Sequence, residues 1–223
     1  MKRASLSVGA WQILFPRALT LIDDFALHGG IPDPFWTFGG GTVLMLRYGH
    51  RLSKDIDIFV PDPQYLGYVT PRLSERAADL TQDYTEAATF VKLQFNEGEI
   101  DFVAAPNLLP GGVAWESWDV MGRQVKVETP AEIVAKKMYY RGDRVTARDL
   151  FDLALVIERD PQSLRNAAPF LTRHRAAFIE QITDPGRGLL AAFAAIQTLD
   201  YRPTYAHCAE VARSFLEQLP ALR

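Results

Sequence analysis

Two aspartates separated by one isoleucine open an apolar segment, DIDIFV at residues 55–60. The alternation of Asp55 and Asp57 with aliphatic residues predicts a β-strand, which turns both carboxylates to one face and the aliphatic side chains to the other. An anion buried without a positive partner is costly or shifts its pKa. The pair therefore predicts a cation at this face of the strand.

A run of three glycines at residues 39–41 precedes the aspartates. A strand that turns through Gly40 and Gly41 into a helix brings the backbone close to a phosphate and directs the first helical N–H groups at it, while Thr42 adds a hydroxyl. Because Mg²⁺ is commonly bound by a few carboxylate oxygens together with phosphate oxygens, the two features predict a metal ion that carries a nucleotide phosphate. Taken separately, they are also typical of a tight turn, of a solvated strand edge, or of the nucleotide-sugar site of glycosyltransferases.

The composition of the chain limits the class of protein that it can be. The chain has 223 residues, of which 48% are hydrophobic, and a formal net charge of -3, so we expect a globular protein of one larger domain or two small ones rather than a uniformly basic one. Cys208 is the one cysteine, which excludes an internal disulfide framework and a cysteine-built zinc site. The four histidines show no ligand spacing, and His50 is interpreted as a turn residue. We expect a cytoplasmic protein without a membrane segment or secretory signal.

The first half of the chain has the pattern of an α/β domain and the second half that of helices. Helices are predicted at 10–28, 42–48 and 72–80, and strands at 36–38, 55–60, 90–95 and 99–104. The turn Asn96-Glu97-Gly98 joins the last two strands into a hairpin and places Asp101 in its second arm. Further helices are predicted to begin at Thr129 and Thr146 and to cover 164–182, 186–198 and 205–218.

The first two of these later helices carry N-terminal signals. Thr129 is a predicted N-cap with proline next to it and Glu132 in the acidic position of a capping box. Thr146 and Asp149 repeat the same spacing, so Asp149 has a structural interpretation that needs no function.

The motifs together resemble the DNA polymerase β-like nucleotidyltransferase superfamily, and within it the AbiEii/AbiGii toxin-type nucleotidyltransferases. The segments that carry the resemblance are GGT at 40–42, HRLS at 50–53, DID at 55–57, AKK at 135–137 and RDLFD at 148–152. The resemblance implies an α+β fold, in which a small mixed sheet flanked by helices forms the nucleotidyltransferase core at residues 1–128. A C-terminal helical bundle at 129–223 would complete the active-site cleft.

The resemblance also implies roles for single residues. Asp55, Asp57 and Asp101 would bind Mg²⁺ or Mn²⁺, in a two-metal arrangement, and Asp101 would also help to deprotonate the attacking hydroxyl. The nucleotide would be bound by a second set of residues: Gly40, Gly41, Thr42, Arg51, Ser53 and Lys137.

The lysine assignment rests on the alignment of a double lysine. The match favours Lys137, but Lys136 is the alternative, since neighbours on a helix point about 100° apart and Lys136 could instead pair with Glu132. Asp149, which the resemblance places among the catalytic residues, and Asp152 are expected to hold Lys137 or a nearby arginine in place.

The implied function is transfer of a nucleotide from a nucleoside triphosphate to the 3′ end of a tRNA or to a protein hydroxyl. A toxin role with a cognate antitoxin is also implied. The alternatives are a non-catalytic nucleotide- or RNA-binding module on the same fold and a nucleotidyltransferase that modifies small molecules such as antibiotics. Trp115 and Trp118 could stack a base, although packing against the sheet is the favoured interpretation.

Overall fold

The computed structural model describes residues 9–220, which divide into two compact units. The first unit consists of residues 9–47, 53–107 and 115–128 and contains a β-sheet. The second consists of residues 48–52, 108–114 and 129–220 and is helical.

The sheet of the first unit has seven strands in the order β3-β4-β5-β2-β1-β7-β6. They are β1 (Thr37–Gly39), β2 (Ile56–Val60), β3 (Tyr84–Ala87), β4 (Phe90–Phe95), β5 (Gly98–Ala104), β6 (Trp115–Val120) and β7 (Arg123–Glu128). The sheet is mixed, because β2 runs parallel to β5 and β1 parallel to β7, while the other neighbours are antiparallel.

Three helices and one 3₁₀ segment accompany the sheet: α1 (Trp11–His28), α2 (Gly40–Tyr48), the 3₁₀ turn Pro63–Tyr68 and α3 (Glu75–Leu80). Helix α1 packs against β2 and β5. The core at this face contains the fully buried Phe15, Phe38, Ile58 and Phe102, and the rings of Phe15 and Phe38 lie 5.0 Å apart. Since strand residues alternate, the aspartates of β2 and β5 lie on the opposite face.

The hairpin of β6 and β7 has no counterpart in the predicted elements. Its two-residue turn places Met121 at φ 55° and Gly122 at φ 84°, the positive values that a two-residue hairpin turn requires. Trp118 is half-buried on β6 and stacks under the guanidinium of Arg47, 4.8 Å from the ring centre, so it packs against the sheet unit as expected.

The second unit contains α4 (Pro130–Arg141), α5 (Ala147–Arg159), α6 (Pro161–Asn166), α7 (Ala168–Leu171), α8 (Arg175–Thr183), α9 (Arg187–Ala194) and α10 (Tyr205–Gln218). Helix α5 is central, because it packs against α4, α6, α9 and α10. Its residues from Leu150 to Ile157 are all buried.

Two of the predictions for this half are wrong. The single helix expected over 164–182 is divided into α6, α7 and α8, with a break at residues 172–174. The capping box at Thr129 is only half formed. The Thr129 hydroxyl accepts from the N–H of Glu132, but the buried Glu132 carboxylate accepts from the N–H groups of Leu108 and Leu109, each at 2.9 Å.

The predicted α+β class, a mixed sheet with helices following it, is confirmed. Within residues 9–220, no helix combines the length and the hydrophobicity needed to cross a membrane.

Candidate active site

The glycine run is built into the junction between β1 and α2. Gly40 has φ +71°, and a Cβ on it would lie 1.9 Å from Oδ2 of Asp57. A Cβ on Gly39 would lie 2.3 Å from Oε2 of Glu128. Both positions therefore require glycine, the first because of its backbone conformation and both because a carboxylate fills the space beside them.

Helix α2 begins at Gly40, directly after the strand. Its first N–H groups have no carbonyl four residues earlier in the helix to bind, and the positive end of the helix dipole lies there. This end of α2 is suited to an anion, and Asp57 lies beside it.

Thr42 and Ser53 connect the helix to the segment that enters β2. The fully buried Thr42 hydroxyl donates to the backbone carbonyl of Asp55 at 2.6 Å and lies 3.0 Å from the Ser53 hydroxyl. Its single proton is thus committed to holding Asp55, rather than offered to a ligand as the sequence suggested. Ser53 is half-buried and keeps acceptor capacity.

The strand register brings the predicted carboxylates together in rows across the sheet. Asp57 on β2 is paired with Asp101 on the parallel strand β5, and Asp101 is paired with Lys92 on β4. Asp55 lies just before β2, and its Oδ1 accepts from the backbone N–H of Glu99 at 3.1 Å. Paired residues on adjacent strands share a face, so Asp57 of β2 and the β5 carboxylates Glu99 and Asp101 form one acidic patch.

Lys92 is bound to the β5 side of this patch. Its ammonium lies 2.5 Å from Oε2 of Glu99 and 3.4 Å from Oδ2 of Asp101. The other oxygen of Asp101, Oδ1, is buried and has no hydrogen-bond partner among residues 9–220. Burial, together with the negative charge of Asp57, raises the pKa of Asp101 to about 7, even though Lys92 opposes the shift. The carboxylate is thus poised to take up a proton or to accept a cation.

These residues fit a divalent cation in part. The unpartnered Oδ1 of Asp101 and the like charge of Asp57 are what a cation at this face would relieve. Among the side chains of residues 9–220, no three or more of His, Cys, Asp and Glu are gathered into a group that could hold a metal ion alone. Mg²⁺ is often held by one or two carboxylates, with phosphate oxygens and water as the remaining ligands, and Asp57 of β2 and Asp55 just before it are candidates for such carboxylates.

A second set of predicted residues lies in the helical unit, around Asp152 of α5. This fully buried carboxylate accepts from Nε and Nη2 of Arg51, each at 2.7 Å, and from Nε2 of His50 at 2.8 Å. The ammonium of Lys137 lies 2.5 Å from its Oδ2. Burial alone would raise the pKa of Asp152, but the charges of Arg51 and Lys137 and the hydrogen bonds hold it well below its usual value.

Asp149, one turn earlier on α5, extends the same network. Its carboxylate is bound in bidentate fashion by Arg141, at 3.0 and 2.7 Å, and lies 3.0 Å from the ammonium of Lys137. These cations overcome the effect of burial and lower the pKa of Asp149 to about 2. Asp149 and Asp152 therefore both contact Lys137, as their helical spacing suggests.

The structure distinguishes the two neighbouring lysines. The buried ammonium of Lys136 lies 3.6 Å from Glu132, one turn earlier on α4, which is the salt bridge that the helical spacing allows. Lys137 instead lies in the Asp149 and Asp152 network and has a side chain that is 12% exposed.

Two residues that the sequence interpretation passed over, His50 and Lys92, belong to these networks. His50, interpreted only as a turn residue, is fully buried against Asp152; burial lowers its pKa, and its Nδ1 has no hydrogen-bond partner within residues 9–220. Asp152, expected only as an accessory, is the centre of its cluster. Lys92 could have been found from the hairpin, because the turn pairs Phe95 with Gly98 and the same register pairs Lys92 with Asp101.

Comparisons with known proteins bear on the family and the fold of the chain. A family model described as the nucleotidyl transferase AbiEii toxin of a type IV toxin–antitoxin system matches residues 26–221. No curated protein matches the sequence. Among solved structures, MenT4, a nucleotidyltransferase toxin from Mycobacterium tuberculosis, is 19% identical with a TM-score of 0.51, covering 95% of this chain and 85% of its own.

JHP933 from Helicobacter pylori is 17% identical with a TM-score of 0.50, covering 96% of this chain and 95% of its own. At these identities the two structures establish a shared fold, whereas the family model covers most of the chain. The chain therefore belongs to the AbiEii family of nucleotidyltransferase toxins.

Proposed function

We propose that this nucleotidyltransferase moves a nucleoside monophosphate from a nucleoside triphosphate to a hydroxyl of an acceptor, either the 3′ end of a tRNA or a protein side chain. The observation that carries the proposal is the register of Asp57 with Asp101, next to a glycine turn that starts a helix. The family adds that the activity serves a toxin, with an antitoxin as partner.

The glycine turn is the proposed binding site for the phosphates. Gly40 and Gly41 carry no side chain, so the phosphates can approach the backbone N–H groups at the start of α2. Ser53, half-buried and 3.0 Å from the Thr42 hydroxyl, adds a hydroxyl to this site. Thr42 acts through Ser53 and Asp55 rather than on the nucleotide itself.

Asp55, Asp57 and Asp101 are the candidates for holding a divalent cation, Mg²⁺ or Mn²⁺. When bound, such an ion neutralises charge on the reacting phosphate and orients it. The chain itself positions two of these carboxylates. The N–H of Glu99 donates to Asp55, and Gly40, which has no side chain, leaves the space that the carboxylate of Asp57 fills.

Asp101 is also the proposed acceptor of the proton. The acceptor hydroxyl oxygen forms a bond to the α-phosphorus, the bond between the α-phosphorus and the bridging oxygen breaks, and pyrophosphate leaves. The hydroxyl proton passes to the carboxylate of Asp101, whose pKa of about 7 lies near the working pH and suits a general base.

In the helical unit, Lys137 is the proposed phosphate-binding cation. Asp149 and Asp152 fix the position of its ammonium, so little conformational entropy is lost when it meets an anion. Arg51 is a weaker candidate, since one edge of its guanidinium is already bound to Asp152.

The proposal is tested by incubating the purified protein with each α-³²P-labelled nucleoside triphosphate, Mg²⁺, and either total RNA or total protein as acceptor. We expect label on one class of acceptor and on no other. Asp57→Asn should lower transfer at least about a thousandfold, as expected for loss of electrostatic stabilisation at the reacting centre, while Asp83→Asn, an exposed aspartate of the same unit, should transfer normally. Equal transfer by wild type and Asp57→Asn would contradict the proposal, and binding of nucleotide without transfer would favour a non-catalytic module.

A further inference from the structure

His50 is a fully buried hydrogen-bond donor to Asp152 in the helical unit. Its Nε2 lies 2.8 Å from Oδ1 of that carboxylate. The pKa of Asp152 is held well below its usual value, against the effect of burial, by the charges of Arg51 and Lys137 and by hydrogen bonds, so Asp152 is ionised. Because an ionised carboxylate can only accept hydrogen bonds, Nε2 of His50 carries a proton and donates to it.

The other ring nitrogen shows that His50 is neutral. Nδ1 is buried and has no hydrogen-bond partner within residues 9–220. A proton on both nitrogens would leave a buried donor unsatisfied and would add a positive charge beside Arg51 and Lys137. Burial first, and then these two cations, lower the pKa of His50, although Asp152 opposes the shift. His50 therefore gives Asp152 a hydrogen bond without adding charge to the network.

The direction of this hydrogen bond is fixed by the surroundings of His50. The backbone carbonyl of His50 accepts from the N–H of Leu199 at 3.0 Å. Its ring lies 5.9 Å from the ring of Phe151, the residue before Asp152 on α5. Since a close-packed interior leaves a buried ring few other orientations, Nε2 is held toward Asp152.

The two oxygens of Asp152 have different partners. Oδ1 accepts from Nε2 of His50 and from Nε of Arg51. Oδ2 accepts from Nη2 of Arg51 and lies 2.5 Å from the ammonium of Lys137. A carboxylate is planar and rigid, so the groups that fix Oδ1 also fix Oδ2. His50 thus helps to set the place of the Lys137 ammonium without contacting it.

We propose that His50 is a positioning residue: its Nε2–H fixes Asp152, and Asp152 in turn fixes the Lys137 ammonium in the place where it binds the triphosphate. The proposal rests on the proposed function, which assigns phosphate binding to Lys137. Because His50 acts through Lys137, its loss should weaken nucleotide binding only while that ammonium is present. A residue that merely supports the fold would affect binding equally with and without Lys137.

The test is a double-mutant cycle on the affinity for the four α,β-methylene nucleoside triphosphates, measured by calorimetry with Mg²⁺ on folded protein. His50→Leu removes the donor and should weaken binding about tenfold, the effect of one hydrogen bond to a charged group. His50→Gln, whose amide can donate in place of Nε2, should restore binding to within about threefold of wild type.

Lys137→Met should also weaken binding, and adding His50→Leu to it should weaken binding no further. His207→Leu is the matched control, since His207 is an exposed histidine of the same unit that pairs with Glu158, and it should bind nucleotide as the wild type does. Equal affinity of His50→Leu and wild type, or the same weakening by His50→Leu with and without Lys137, would overturn the inference.

A spectroscopic measurement on the wild type decides the question if His50→Leu does not fold. Long-range ¹H–¹⁵N spectra distinguish the imidazole tautomers, and we expect the neutral Nε2–H form of His50 near neutral pH; an Nδ1–H form or an imidazolium would overturn the inference. Wild-type affinity in Lys137→Met would instead contradict the proposed function of Lys137. Weakened binding in Lys137→Met together with unchanged binding in His50→Leu would contradict this inference alone.

Discussion

Asp101 on the sheet and Asp152 in the helical unit are the same side chain in opposite electrostatic surroundings. Asp101 lies beside a second carboxylate, and burial together with that charge raises its pKa to about 7. Asp152 is fully buried among Arg51, His50 and Lys137, and its pKa is held well below the usual value. Asp101 therefore lies beside like charge, whereas Asp149 and Asp152 lie among three cations, Arg51, Lys137 and Arg141.

The difference distinguishes carboxylates that can bind a cation from carboxylates that already hold neighbouring cationic side chains in place. An acidic patch with an unpartnered oxygen gains from a cation, whereas a carboxylate that already accepts from three cationic or polar partners has little left to offer. We therefore propose Asp149 and Asp152 as supports of Lys137 and Arg51, and the carboxylates of the sheet unit as the reactive set.

The largest effect should come from removing the centre of the helical network. Asp152→Ala leaves the buried Arg51 and Lys137 without their shared anion, and breaking a buried charge network costs about 3–5 kcal/mol. Chemical denaturation should show a loss of this size. Asp143→Ala, at a half-exposed aspartate of the same unit, should change the free energy of unfolding by less than about 0.5 kcal/mol. A loss from Asp152→Ala no greater than from Asp143→Ala would contradict the contrast between the two aspartates.

A smaller effect is expected at the glycine turn of the sheet unit. Gly40→Ala places a Cβ on a residue with φ +71° and drives it into the carboxylate of Asp57, so we expect a destabilisation of about 2 kcal/mol. Gly188→Ala is the matched control, since its Cβ would meet open space on α9; it should stabilise the protein by about 0.4–1 kcal/mol. Equal melting temperatures for the two variants would show that the turn is not constrained.

The smallest expected effect is the pH dependence of stability that comes from Asp101. The folded chain keeps the proton of Asp101 up to about pH 7, while an unfolded chain releases it near pH 4. The free energy of unfolding therefore falls progressively as the pH rises between these values, because the folded state binds the Asp101 proton more tightly than the unfolded state does. Asp101→Asn should be more stable than wild type at pH 8 by on the order of 1 kcal/mol, after allowance for partial exposure, and should match it at pH 4.

The contribution of the helical network to stability should change with pH in the opposite direction. The folded-state pKa values of Asp149 and Asp152 are lowered, so their contribution is complete above about pH 4 and is lost as the pH falls through the folded values. Denaturation curves of wild type and Asp101→Asn from about pH 2 to pH 8 measure both trends. An Asp101→Asn variant that is equally stable relative to wild type at pH 4 and pH 8 would show that Asp101 is not perturbed.

Local pattern was sufficient for the part of the site that lies on neighbouring strands. Alternation placed Asp57 on the face opposite the buried Ile56 and Ile58, and the turn Asn96-Glu97-Gly98 fixed the hairpin that carries Asp101. These features follow from strand geometry and turn chemistry, both of which act over a few residues.

The remainder depends on contacts between distant parts of the chain. His50 and Arg51 meet Asp152 across 102 and 101 residues, and no local period encodes that meeting. The β6 and β7 hairpin was missed because residues 115–120, WESWDV, do not alternate simply between polar and apolar residues. The predicted helix over 164–182 failed partly because Pro169, which a helix tolerates in its first turn but not in its interior, stands in the first turn of the new helix α7.

The central claim is that Asp55 and Asp57 hold a divalent cation beside a triphosphate bound at the glycine turn. It is tested most directly by anomalous diffraction from crystals grown with Mn²⁺ and an α,β-methylene nucleoside triphosphate. We predict one manganese peak at the carboxylates of Asp55 and Asp57, with phosphate oxygens at the N–H groups of Gly40 and Gly41. A nucleotide bound elsewhere on the chain, or manganese absent from these two aspartates, would contradict the account.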